Sequence, residues 1–170
     1  REYNILETIR NIDWPDTEPF RENSITQPPQ DIIKELTIQH WFDKNDVENH
    51  PNAANFFQPK AGLARMQTIE EGDVSRKSFK RLHRWRYSPT AAYGNNEVHL
   101  HPYKVRRLSI AEVLAIQSVP PEFELPLNMS LTDMFKTVGN GVPVLMAEKL
   151  GQELKPLLEM YFKDMRDNTI

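Results

Sequence analysis

By the spacing of its apolar positions, the C-terminal part of the chain is largely helical. Ile110, Val113, Leu114 and Gln117 fall on one helical face. Ser109 and Glu112 have capping-box spacing at its start, where each side chain satisfies an orphan backbone N–H. Pro120 and Pro121 stop the helix. Gln117, in line with apolar residues, needs a partner or bears the cost of burial, which marks a polar site. Ser130 and Asp133 open a second capped helix bearing Leu131, Met134 and Phe135. Pro143 to Met165 is predicted helical, with Pro156 kinking or dividing it. Its Leu145, Met146, Leu150, Leu154, Leu157, Leu158, Tyr161 and Phe162 make a broad apolar face with little in the chain to cover it. Such a face predicts a partner interface.

Between these helices lies Gly139-Asn140-Gly141. Glycines permit positive φ and close approach to backbone N–H groups. Pro143 suits the first turn of a helix, and a glycine turn feeding a helix N-terminus can hold an anion. On these residues alone, a helix C-cap followed by a new helix is the plainer reading.

The N-terminal part is less periodic. Residues 1–25 read as an irregular lead-in punctuated by Trp14-Pro15 and Pro19. Pro28-Pro29 introduces a short amphipathic helix through Ile32, Ile33 and Leu36. Residues 43–60 are loop-like, anchored by Phe56 and Phe57. Glu71-Gly72-Asp73 signals a turn. From Arg76 to Arg86 there are six cations in eleven residues with no acid: Arg76, Lys77, Lys80, Arg81, Arg84 and Arg86. Phe79, Leu82, Trp85 and Tyr87 interleave with them, which predicts turn and strand, with Phe79, Arg81, His83, Trp85 and Tyr87 sharing one face.

Charge changes the picture. The net charge is −3, yet residues 60–107 hold eleven Lys/Arg against four Asp/Glu, and the remainder ten against twenty. This asymmetry is the footprint of a polyanion partner, a solvated basic face being the bland alternative. His99 and His101 form an H-x-H pair, but with no cysteine the supply of further zinc ligands is thin, and no metal site is expected. The longest apolar run, Val142 to Ala147, is too short to span a bilayer. No signal-peptide pattern opens the chain, and its first residue is Arg1, so a fragment or processed intracellular chain is expected.

RRLSIAEVLAIQSVP, from Arg106, resembles the ninth of the ten motifs of DNA cytosine-5 methyltransferases. FKTVGNGVPVLMAEKLG resembles the tenth, built around GN-x-VP, and SFKRLHRWRYSPTAAYG is similar to the late part of their target-recognition domain. The likeness is clear over residues 76–151 and loose from about residue 26. Ala115 stands where an arginine is common, and Ser118-Val119 replace a frequent Gly-Phe. The resemblance implies an α+β fold, with an irregular β-rich target-recognition lobe and C-terminal helices that complete a partner segment's Rossmann-like catalytic domain. The implied division is lead-in 1–25, recognition domain with the ninth motif 26–129, and tenth motif with docking helices 130–170.

It further implies that Arg76, Lys80, Arg81, Arg84, Arg86 and Thr90 meet duplex DNA, and arginine's fork suits phosphate or guanine. By the same carry-over Arg106, Glu112 and Gln117 brace the cleft, while Asn140, Gly141 and Val142 lie beside S-adenosyl-L-methionine. The family's reaction needs a cysteine thiolate to attack carbon 6 of cytosine. This chain has no cysteine, and the Pro-Cys, Glu-Asn-Val and N-terminal glycine-rich motifs are absent. The expectation is therefore a recognition part, inactive alone, whose catalytic cysteine lies on another chain or segment. Its setting would be DNA in a bacterial cytoplasm or nucleoid. The rivals are a stand-alone DNA-binding module and a purely structural assembly subunit.

Overall fold

The computed structural model describes residues 5–59, 62–76, 78–90, 93 and 98–167. Its fold mixes helices with one small sheet. In order, the elements are α1 (Ile5–Arg10), a 3-10 turn (Lys34–Leu36), α2 (Ile38–Lys44), α3 (Leu63–Gln67), β1 (Lys80–Arg81), β2 (His99–Leu100), α4 (Ile110–Ile116), α5 (Leu131–Gly139) and α6 (Val144–Asp167). β1 and β2 run parallel, Lys80 opposite His99 and Arg81 opposite Leu100.

The centre is α4. Ser109 accepts from the Glu112 N–H while the Glu112 carboxylate accepts from the Ser109 N–H, so the predicted capping box is present. Residues Ile110 to Ala115 are all buried, so the helix is wrapped on every side rather than on one face. α2 supplies Ile38 and Phe42 to this core, and α5 supplies Met134, Phe135 and Val138. α5 begins at Ser130, whose hydroxyl accepts from the Asp133 N–H. It packs into the α4 core, although the division at residue 130 groups it with the docking helices. A second apolar cluster, Met66, Ile69, Val98 and Leu100, lies with the sheet.

Three expectations change. The single helix expected within residues 30–42 is divided into a 3-10 turn at Lys34–Leu36 and α2, which begins after Thr37. Thr37 is extended (φ −99°, ψ 150°) and caps α2 by accepting from the His40 N–H. An N-cap hydroxyl outweighs a short apolar run. The strand expected from Phe79 to Tyr87 is only two residues long. Arg81, Leu82, His83 and Arg84 are all buried, so no two-faced alternation exists, and Phe79 turns the backbone left-handed at φ 60°. Among the described residues the region expected to form a β-rich lobe is therefore irregular rather than rich in strand. α6, lastly, is not divided at Pro156: one helix of 24 residues runs through it. No described helix is long and apolar enough to cross a membrane.

Candidate functional site

The segments singled out in the sequence meet around one cleft of about 650 Å³. Pro89 and Thr90 come from the basic stretch, Gln117 and Ser118 from the end of α4, and Gly141 and Pro143 from the turn before α6. Ile38 and Trp41 of α2 line it, as do Leu145 and Met146 of α6. The lining is mainly apolar with few polar groups, the usual make-up of a binding cleft. Gln117 is 5% exposed, and its Oε1 is buried with no hydrogen-bond partner among the described residues. For Oε1, the requirement for a partner stated from the sequence is thus unmet among the described residues.

Behind the cleft, a charged cluster holds α4. Arg106 donates from Nη1 and Nη2 to the two Glu112 carboxylate oxygens at 2.9 and 2.6 Å. His101 Nε2 lies 3.4 Å from Glu112, and its Nδ1 accepts from the Tyr103 and Lys104 N–H groups. An imidazole accepting at Nδ1 carries its proton on Nε2 when neutral, pointed at the carboxylate. Burial alone would raise the Glu112 pKa, but His101 and Arg106 hold it well below the ordinary range. Burial lowers that of His101. Arg106 and Glu112 thus form a buried ion pair at the start of α4.

The basic stretch divides by burial. Arg81 is fully buried. Its Nε donates to the Ile69 carbonyl (2.9 Å), Nη2 to Met66 (2.6 Å), and Nη1 to the His101 and Lys104 carbonyls. The Phe20 ring lies 3.8 Å from its guanidinium carbon, and burial brings its pKa down to about 10. Arg84 is also buried: it pairs with Glu71 at 2.7 Å and donates to Ser24. Arg86, half-buried, donates to the Pro15 and Gly72 carbonyls. The expectation that Arg81 and Arg84 hold phosphates therefore gives way to an internal role, because their donors are spent on backbone carbonyls and Glu71. Arg76 keeps a side chain 47% exposed beside Asp73, Lys80 is half-buried, and Thr90 is exposed. Lys77 lies outside the described residues.

Sequence reasoning missed the strap that covers these arginines. Glu18 bridges Glu71 in antiparallel fashion, the Asn23 N–H donates to the Tyr103 carbonyl, and Trp85 Nε1 donates to Thr26 Oγ1. The lead-in is thus built onto the segments that carry Glu71, Trp85 and Tyr103. The one signal was Glu71, an acid just ahead of six cations.

Asn140 caps the end of α5, its N–H reaching the Lys136 and Val138 carbonyls, which agrees with the plainer reading of the turn. Neither Gly139 nor Gly141 is left-handed. Gly141 is needed for closeness instead: a Cβ there would sit 3.2 Å from the Val138 carbonyl oxygen. Asn140, Gly141 and Val142 are all exposed. Among the described residues no group of three or more His, Cys, Asp or Glu is arranged to hold a metal.

The family model for C-5 cytosine-specific DNA methylases matches residues 4–156. The chain is 60% identical over 151 residues to the type II methyltransferase M.NmeDI of Neisseria meningitidis serogroup C, covering 89% of this chain and 36% of that protein. It is 37% identical over 57 residues to the putative type II methyltransferase M.OihORF3336P of Oceanobacillus iheyensis, covering 34% of this chain and 12% of that protein. The chain therefore spans about a third or less of these relatives. No solved structure matches it significantly.

Proposed function

The chain belongs to the C-5 cytosine-specific DNA methylase family, and from that premise we propose that it is the target-recognition part of a DNA cytosine-5 methyltransferase. It grips duplex DNA and completes a methyl-transfer site whose nucleophilic cysteine lies on another chain or segment. The observation that carries this reading is the convergence of Thr90, Gln117 and Gly141 on one cleft. Three motifs far apart in sequence share a surface there, and α6 leaves it with its apolar residues uncovered. That face docks on the catalytic part.

S-adenosyl-L-methionine supplies the methyl group when bound. Asn140, Gly141 and Val142 would hold one edge of it, a role that their exposure and the tight backbone at Gly141 fit. Arg76, Lys80 and Thr90 take the DNA-facing role. Arg81 and Arg84 serve it indirectly by fixing the loops that carry those residues, and Arg86 belongs with them. The target cytosine must leave the stack, since its reacting carbons are shielded within it, and the lobe stabilises the duplex around the vacated place. The likeness to a type II methyltransferase supports a place in a restriction-modification system, acting on bacterial DNA.

The test mixes this chain with a family catalytic segment that bears the cysteine, duplex DNA and labelled S-adenosyl-L-methionine. Methyl transfer is expected only when both polypeptides are present, with native mass spectrometry showing their complex. A folded pair that neither associates nor transfers would overturn the reading.

A further inference from the structure

α6 starts without a cap of its own. The first four N–H groups of a helix have no partner within it, and the residue before Val144 is Pro143, which carries no side-chain acceptor. The partners come from the end of α4 instead. The Val144 N–H donates to the Gln117 carbonyl at 3.0 Å, and the Leu145 N–H donates to Ser118 Oγ at 3.1 Å. Ser118 Oγ in turn donates to the Gln117 carbonyl at 2.7 Å, which closes a small ring of hydrogen bonds. Ser118 makes this reach from a left-handed backbone, φ 53°, a conformation that disfavours residues with a Cβ. The strain is kept where the hydroxyl is used.

We propose that Gln117 and Ser118 form a clasp that sets the direction of α6, and with it the Asn140–Val142 turn, relative to the recognition lobe. Ser118 is then a positioning residue for methyl transfer, an assignment that rests on the function proposed above. The large apolar residues along the rest of α6 are exposed, so its first turn is where the lobe governs its path. The two motifs joined this way are the one that braces DNA recognition and the one that faces the methyl donor. A clasp between them aligns donor and target without touching either.

Two measurements separate the clasp from the function it serves. The first is amide hydrogen exchange on the whole chain. Leu145 is expected to exchange at least about tenfold faster in Ser118→Ala and Ser118→Gly, with α5 unchanged. Glycine relieves the backbone strain and alanine keeps it, so a shared effect isolates the hydroxyl. Ser118→Asn, which tolerates a left-handed backbone and offers an acceptor, restores protection in part. Unchanged exchange at Leu145 in both deletion variants would overturn the clasp.

The second is methyl transfer by the chain joined to its catalytic segment. Ser118→Ala is expected to raise KM for S-adenosyl-L-methionine or lower kcat severalfold, while DNA affinity stays within twofold. A parallel loss of DNA affinity, or no change in transfer, would remove the positioning role. If the wild-type pair transfers nothing while Leu145 is protected, the proposed function fails and the clasp stands.

Discussion

Around β1 and α4, Arg81, Arg84 and Glu112 are 0%, 3% and 2% exposed, whereas on α6 Leu154, Leu157, Leu158 and Phe162 are 54%, 57%, 53% and 56% exposed. The usual polarity of a protein is inverted in both places, with opposite consequences. A buried charge persists only when its hydrogen bonds are met, and these are met by backbone carbonyls, Glu71 and Arg106. The buried cations are thus held from within the chain. The leucines of α6 are not, and each forgoes part of the roughly 1.5–3 kcal/mol that full burial would give. One set of residues is stabilised by its surroundings, and the other is left wet.

The sharpest way to break this contrast is to remove a buried cation. Arg84→Ala leaves Glu71 buried and unpaired and releases Ser24 of the strap. Loss of one partner from a buried pair costs about 3–5 kcal/mol, which urea unfolding would register as a lower midpoint. Arg76→Ala, at the surface, is expected to stay within about 0.5 kcal/mol. Equal effects of the two substitutions would erase the distinction between the buried and the surface arginines.

Glu112→Gln comes next, at about 3 kcal/mol near neutral pH, for it leaves Arg106 without its fork. It also reshapes the pH dependence. The folded pKa values of His83 and His101 are lowered from 6.5 and that of Glu112 from 4.5. For groups lowered on folding, the unfolded chain takes the proton first as pH falls. Stability is therefore fully present above about 6.5, declines below it through the histidines, and falls again below about 4.5 through Glu112. The glutamine variant is expected to shrink the lower limb to what Glu48 and Asp73, also lowered on folding, contribute, and to keep the upper one. Urea midpoints between pH 3 and 8 would show it, and an unaltered lower limb would reject the assignment to Glu112.

Legibility in the sequence followed the range of the interaction. Ser109 with Glu112, and Ser130 with Asp133, are local contacts that spacing alone reveals, and both caps are present. The apolar face of α6 was legible for the same reason. Arg81 was not: its four carbonyl partners come from Met66, Ile69, His101 and Lys104, and no periodicity announces that loops converge on a guanidinium. A run of cations reads as a solvated face until the acid and the strap that cover it are known. Thr90, Gln117 and Gly141 were each marked by their motifs, but their meeting in one cleft is a matter of tertiary packing.

On α6 the contrast can be tested from the other side. Leu154→Lys with Leu158→Lys places charge on a face that is already wet in this chain. Stability of the chain alone is expected to move by less than about 0.5 kcal/mol. Affinity for the catalytic segment is expected to fall roughly 10- to 100-fold, as a buried apolar contact becomes a buried charge. Urea unfolding of the chain alone measures the first number, and titration calorimetry of the two polypeptides measures the second. A large loss of stability with docking intact would mean that the face is covered from within the chain.

The smallest effect separates binding from bracing. If Arg76 meets a phosphate, Arg76→Ala removes one cation from the contact and leaves the fold alone. The slope of log affinity against log salt should then fall by about 1, for each neutralised phosphate releases its condensed counterions. Arg81→Ala would weaken binding differently, by loosening the loops, so a destabilised lobe would accompany any loss. Fluorescence anisotropy on a duplex at several salt concentrations tells the two apart. A slope unchanged by Arg76→Ala would mean that its pairing with Asp73, 3.2 Å away, persists on DNA, and the contact would pass to Lys80 and its neighbours.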